Sequence, residues 1–567
     1  MNAIKSALAG AAVLAAMSFA TARMCVAQES STQQSSGPQS STQQSSAQEN
    51  LNEESAIEKD QEIRELRDRL DALQRRLDAQ IKALEELKAE LDAAQAQAAA
   101  AKAQAATIPA QVKQAVEAAQ PKGDKLHYKG VTVSFGGFVA GEYVRRSIDT
   151  ANDIATAYNG DYFGNDPLAH TSQSLFTARQ SSLSALVEGD PGPQTHLRAL
   201  GQIDFQGAAQ TANSVQDYSY NPRLMQLYGA VDWDDLHLHL LAGQAWSLVT
   251  LNSSGIVPET IVIPPTIDGQ YMPGFDWARQ PQIRLTQDID RQYWVALSLE
   301  NPQTTFYTGA NPLPAGVTLD YETHGTGLGF NSQNTLSLDH VPDAVLKVAD
   351  DVAFGKRTVH AEAFGLVRRF YERLNYASKN VSGSAIGAGL MLPLVPQWLD
   401  LQVSGVAGRG IGRYGSAQLP DVTFDSSGVI KPIREIIAMA GLTVHPLRKL
   451  DVYVFAGEER ESRQSFDYTD MSSGTPTVVP FGYGNLGYSN AGCSSEAAQQ
   501  PCVGNLRLVE QGTLGLWYEP YSGNFGMLKL GLQLSRTEFK AFAGVGGAPV
   551  AALNTVFTSL RYYPFGE

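Results

Sequence analysis

The sequence predicts an all-β transmembrane barrel of about 16 antiparallel strands preceded by an α-helical coiled coil. Three observations carry that prediction. From residue 126 to the end, apolar and polar residues alternate with a period of two; a heptad seam precedes them; and an export leader precedes both. Composition agrees: charged residues are 18% of the 567, below the roughly 25% of ordinary soluble domains. No internal stretch reaches the ~18 apolar residues of a membrane helix.

The leader occupies residues 1–27. Lys5 supplies a positive start and Leu8 to Ala20 an apolar run too short to span a bilayer. Small residues permit cleavage after Ala22 or after Ala27, and both sites stay open. Cys25 has the place of a lipoprotein cysteine, but Arg23 and Met24 stand where that signal needs small residues. Export leads to an oxidising compartment, so Cys493 and Cys502, in a Gly/Ser/Asn-rich stretch, are expected to form a local disulfide. Two thiols without a nearby His are too few for a metal site, and no metal or cofactor is expected.

Residues 28–50 are nearly all Ser, Gln, Thr and Glu, with SSTQQSS twice, and read as a disordered tether. Residues 51–120 follow as a coiled coil. Ile63, Leu66, Leu70, Leu73, Leu77, Gln80, Leu84, Leu87 and Leu91 alternate spacings of three and four, with Arg67, Asp68, Glu85, Glu86 and Lys88 off the seam. One chain alone cannot bury such a seam, and Gln80 at a core position helps fix register, which points to a homotrimer. The alternative is a lone amphipathic helix lying on another surface. Pro109 and Pro121 end the helical stretch.

Residues 126–567 are the barrel. Leu528, Leu530, Leu532 and Leu534 alternate with Lys529, Gly531, Gln533 and Ser535, and Leu197 and Ala199 flank Arg198. About 16 such segments start near residues 131, 177, 195, 222, 236, 282, 292, 343, 357, 381, 398, 434, 449, 505, 524 and 551. An even number suits a closed sheet, because an open edge in lipid leaves backbone groups unpaired. Short connections alternate with long stretches at 146–176, 247–281, 302–342 and 461–504, so short turns are expected in the periplasm and long loops outside. Trp233, Trp294, Trp398, Trp517 and Tyr518 near segment ends suggest an interfacial girdle. A net charge of −15 argues against a nucleic-acid partner.

A barrel of this width encloses an aqueous lumen. Leader, stalk and barrel in this order, with GQIDFQG (201–207), NPRLMQLYGA (221–230), AGQAWS (242–247) and ARQPQIRLT (278–286), resemble the DcaP-like trimeric porins. Met225 departs from the basic residue expected there. The resemblance implies a porin in the outer membrane of a Gram-negative bacterium, with its coiled coil in the periplasm. It implies a homotrimer that meets outer-membrane lipid and lipopolysaccharide and passes small anionic solutes such as dicarboxylates by passive diffusion. It also implies inward arginines at a constriction, where a positive lumen selects anions.

Strand parity selects Arg198 and Arg284 as pore-lining, since their apolar neighbours face lipid. Arg179, Arg279 and Arg434 lie near segment ends, where a cation also suits headgroups or solvent. Arg179 shares parity with Leu183 and Ala185 and needs a bulge to turn inward. Asp204, Asp288, Asp400 and Asp451 have inward parity, so the lumen is expected to be mixed in sign. One of the Pro- and Gly-rich loops, 247–281 or 302–342, is expected to fold inward. Enzyme chemistry is not expected, since HExxH and GxSxG are absent and His237 with His239 is ordinary strand alternation. The rival reading is a non-conducting barrel whose stalk tethers the envelope, reaching peptidoglycan, or serves adhesion.

Overall fold

In the computed structural model, residues 125–160, 162–207, 221–317, 319–320, 340–354 and 357–566 are described. The leader, the tether and the coiled-coil seam lie outside them. The described residues belong to the second of two units, Pro121–Glu567, and none of their helices is long and apolar enough to cross a membrane.

The alternating residues form one antiparallel sheet that closes on itself. Its staves are β1 (Val131–Arg146), β2 (broken into Gln173–Thr177 and Ser182–Gly192), β3 (Thr195–Asp204), β4 (Arg223–Trp233), β5 (Leu238–Trp246), β6 (Arg279–Ile289), β7 (Tyr293–Glu300) and β8 (Asp343–Phe354). Then come β9 (Arg357–Leu374), β10 (Ala377–Val395), β11 (Leu399–Arg409), β12 (Arg434–Leu447), β13 (Leu450–Glu461), β14 (Leu506–Gly523), β15 (Gly526–Ala541) and β16 (Val550–Tyr563). Each pairs with the next, and β16 pairs back onto β1 from Val139↔Tyr562 to Arg146↔Thr555. The sixteen staves begin within about four residues of the starts read from the alternation.

Period-two geometry sorts the side chains between two faces. Outward, Leu240, Leu285, Leu297 and Leu346 stand in register on successive strands, as do Leu514, Leu534 and Val556. About half of Leu285, Leu297 and Leu346 is exposed, which gives the apolar belt that lipid requires. Trp294 and Trp517 depart from the girdle expectation. Trp294 shares the inward parity of Asp288, its register partner, and is buried against Gly255, and the Trp517 indole donates to the Pro265 carbonyl at 2.8 Å. Tyr518, one residue on, faces outward.

One end of the barrel carries two- to four-residue turns, such as 234–237, 290–292, 396–398 and 448–449. Asp290 and Arg291 take positive φ in succession, the backbone that tight hairpins need. The other end carries the described parts of the segments 147–172, 205–222, 247–278, 301–342, 410–433, 462–505 and 542–549, with one exception: a two-residue turn at Asn375 and Tyr376. Cys493 and Cys502 are bonded within segment 462–505.

Candidate functional site

The 247–278 segment folds into the barrel. Its neck is closed by the Ser247 amide donating to the Ala278 carbonyl at 2.8 Å. Wall carboxylates then hold its outgoing leg by its own backbone. Leu248 N–H donates to Glu300 at 3.0 Å, Asn252 N–H to Glu362 at 3.2 Å, and Gly255 N–H to Asp351 at 2.7 Å. Lys347, fully buried on β8, donates to the Thr250 carbonyl and to Asn252 Oδ1 and pairs with Glu362 at 2.7 Å. At Gly255, φ is +59° and a Cβ would meet the Trp294 ring at 2.9 Å, so no other residue fits the turn.

At the tip, Glu259 crosses to the opposite wall and pairs with Arg198 at 2.6 Å. On the way back, Ile267 N–H donates to Gln533, and Asp268 accepts from Thr156 and Tyr158 of the 147–172 segment. Gln270 reaches the Ser416 carbonyl at 2.8 Å, and Gly274 N–H reaches Glu459 at 3.0 Å. Asp276 accepts from the Ser404 hydroxyl at 2.6 Å. Burial, partly offset by that hydrogen bond, pushes the Asp276 carboxyl up to about 7.

The lumen is therefore narrowed unevenly. Inward residues on β8 to β13 are buried beneath loops: Val345, Lys347, Leu366, Arg368, Ile437, Tyr453 and Glu459 are each at most 1% exposed. Inward residues on β2 and β3 stay half-buried: Ser184, Leu186, Glu188, Arg198, Leu200 and Gln202. Three further cations border this wall. Arg561 of β16 pairs with Glu142 at 3.0 Å, Arg223 of β4 pairs with Asp204, and Arg279 of β6 stacks on Trp246 and Trp277 at 5.1 and 5.3 Å.

The sequence-selected arginines take different positions. Arg198 points inward, 19% exposed at its side chain, between Asp232 at 2.8 Å and Glu259. Arg284 also points inward but is 2% exposed, donating to the Trp246 carbonyl and to Gln282 Oε1 beneath the loop neck. Arg179 sits at the corner between the two parts of β2, 3.5 Å from Asp153; that break reverses the parity it shares with Leu183. Arg279 is partly exposed and, among the described residues, has no carboxylate within ion-pairing distance. Arg434 faces outward and is exposed, its neighbour Glu435 being buried.

Asp204, Asp288, Asp400 and Asp451 project from the inner wall, each against a cation or an imidazole. Sequence reasoning missed the pattern behind three of them. At the short-turn end, four histidines are bracketed by carboxylates on both ring nitrogens. These are His196 with Asp190 and Asp234, His239 with Asp232 and Asp288, His360 with Asp351 and Glu362, and His445 with Asp451 and Asp400, all at 2.6 to 3.2 Å. The signal available was a His and an Asp near most short turns, in alternating positions.

No protein-family model and no curated protein matches the chain. Solved structures do. The outer membrane channel DcaP of Acinetobacter baumannii is similar over 77% of this chain and 98% of its own, with a TM-score of 0.54 at 16% identity. An anion-selective porin from Comamonas acidovorans covers 76% of this chain and 99% of its own, with a TM-score of 0.42 at 10% identity. At that identity the first likeness establishes the shared fold, and the second adds nothing to it.

Proposed function

We propose that the chain is an outer-membrane porin of the DcaP-like kind, a water-filled channel for passive diffusion of small hydrophilic solutes in a Gram-negative bacterium. The observation that carries this reading is the 247–278 loop, pinned to several staves inside a closed sixteen-stave barrel while the β2–β3 wall stays half-buried. A barrel of sixteen strands has room for an aqueous lumen, and a folded-in loop sets its bore. The apolar belt supports the membrane placement, and the loop-length asymmetry supports short turns in the periplasm and long loops outside. The chain assembles as a homotrimer through its stalk, in the periplasm.

Solutes pass along the β2–β3 wall, beside Arg198, Arg223, Arg279 and Arg561. Arg198, Arg223 and Arg561 face carboxylates that cancel much of their field, while Arg279 faces none among the described residues. Its guanidinium lies over the indoles of Trp246 and Trp277, and its Nη1 has no hydrogen-bond partner among the described residues, a donor that a carboxylate solute can use. Selectivity is therefore weakly anionic and rests on Arg279 more than on Arg284, which the loop neck covers.

Single-channel recording in a planar bilayer under a salt gradient, with and without a dicarboxylate, tests the reading. Expected are current steps in triplets, a reversal potential leaning to anions and a block by the dicarboxylate. A folded barrel that passes no current overturns it in favour of a tether.

A further inference from the structure

Just beyond the apolar belt, at the long-loop end, the outer wall carries two cations that face no acid among the described residues. Arg409 of β11 and Arg434 of β12 are directly opposite in register, and both are exposed. Their inward-facing neighbours Gly410 and Glu435 are buried, so both guanidinium groups stand on the lipid side. Among the described residues neither has a carboxylate partner within ion-pairing distance. Like charges facing each other across a strand pair destabilise a sheet, and this chain, at net −15, is not short of acids to place there.

The pair belongs to a longer row. On β9, Arg369 is exposed and outward, next to Val367 at 55% exposure. On β10, between them, stand Ser382 opposite Arg369 and Ser384 opposite Arg409. On β13, Arg460 lies opposite Ile436 and pairs at 3.1 Å with Glu458. One step toward the belt the same strands present Ile386 at 74% and Ile436 at 45% exposure, with Ala407. Five adjacent strands span roughly 20 Å. The row thus offers phosphate-matching forks separated by small hydroxyl side chains, directly above an oily surface.

We propose that Arg369, Arg409 and Arg434 bind the phosphates of an outer-leaflet glycolipid, lipopolysaccharide, whose acyl chains lie on the belt below. The proposal rests on the outer-membrane reading above and names a partner for the outer wall. Charge decides between occupants. A second copy would have to meet the row with acids, and among the described strand residues the outward acids toward this end, Glu458, Glu510 and Glu538, are already engaged by Arg460, Lys540 and Arg536. A bisphosphorylated glycolipid brings the missing anions at the level where headgroups sit.

The test uses the full chain purified in detergent, lipid A carrying both phosphates as the probe, and native mass spectrometry to count bound copies. The wild type retains lipid A. The Arg409→Ala/Arg434→Ala variant binds it roughly thirtyfold more weakly, while Arg291→Ala, an exposed cation at the short-turn end, binds as the wild type does. Lipid A stripped of phosphate binds the wild type no better than the double variant binds the intact lipid. Equal binding of lipid A by the wild type and a double variant that still migrates as a folded barrel overturns the proposal. So does a double variant that loses oligomer mass while keeping its lipid, which assigns the row to a second copy. Conductance separates this result from the channel reading: a wild type that binds lipid A but passes no current sinks only the channel.

Discussion

The β2–β3 wall and the β8–β13 wall are built from the same alternating strands, yet they use charge differently. On β8–β13, the inward ionised groups that lie beneath the loops, away from the short turns, are buried and spent on structure. Lys347, Glu362 and Glu459 hold the 247–278 loop, and Arg368 pairs with Asp343 at 3.0 Å and Asp421 at 2.7 Å beneath the 410–433 segment. On β2–β3, Arg198 and Glu188 remain half-buried. The difference teaches that an inward charge in a wide barrel need not line the pore. Where a loop covers it, it acts as an anchor, because a buried charge must be paired.

The largest expected effect comes from breaking the anchored wall. Lys347→Ala leaves Glu362 buried without its ammonium partner and should cost about 3–5 kcal/mol, read by urea unfolding of the refolded protein. Arg198→Ala on the open wall should cost no more than about 1 kcal/mol in the same assay. Equal losses would erase the distinction between the walls.

Next in size is a pH effect on the loop itself. The Asp276 carboxyl is raised to about 7 by burial, so the folded state holds its proton more tightly than the unfolded chain does. That stabilisation is complete at low pH and is lost as pH rises through about 7. Stability should fall by about 2 to 3 kcal/mol between pH 5 and 8 from this group, and Asp276→Asn should flatten the decline. A profile unchanged by the substitution would remove Asp276 as the cause.

Smaller effects sharpen the open wall. Arg279→Ala should move the reversal potential toward zero, with an anion-to-cation permeability ratio reduced about twofold to threefold, whereas Arg284→Gln should leave it unchanged. Glu259→Gln, which frees Arg198 from one of its two acids, should shift the potential the other way by a lesser amount. The opposite ranking of positions 279 and 284 would place the solute path under the loop neck.

Much of this was legible in the chain. Stave positions, the inward direction of Arg198 and Arg284 and that of Asp204, Asp288, Asp400 and Asp451 follow from alternation, which is a local property of neighbouring residues. Arg179 was ambiguous because the break in β2 is not written in the alternation. Trp294 and Trp517 were misplaced because position near a strand end was weighed above parity.

By itself, then, the sequence determined the sheet: which segments are strands, how many there are, and which face each residue takes, since a period of two leaves no other register for an apolar belt. Only the tertiary structure decided which inward residues water reaches. That depends on contacts such as Asn252 with Glu362, Asp276 with Ser404 and Ile267 with Gln533, each joining residues more than a hundred positions apart. Burial is set by whichever chain segment lies on top, and no periodicity in the covered strand records it.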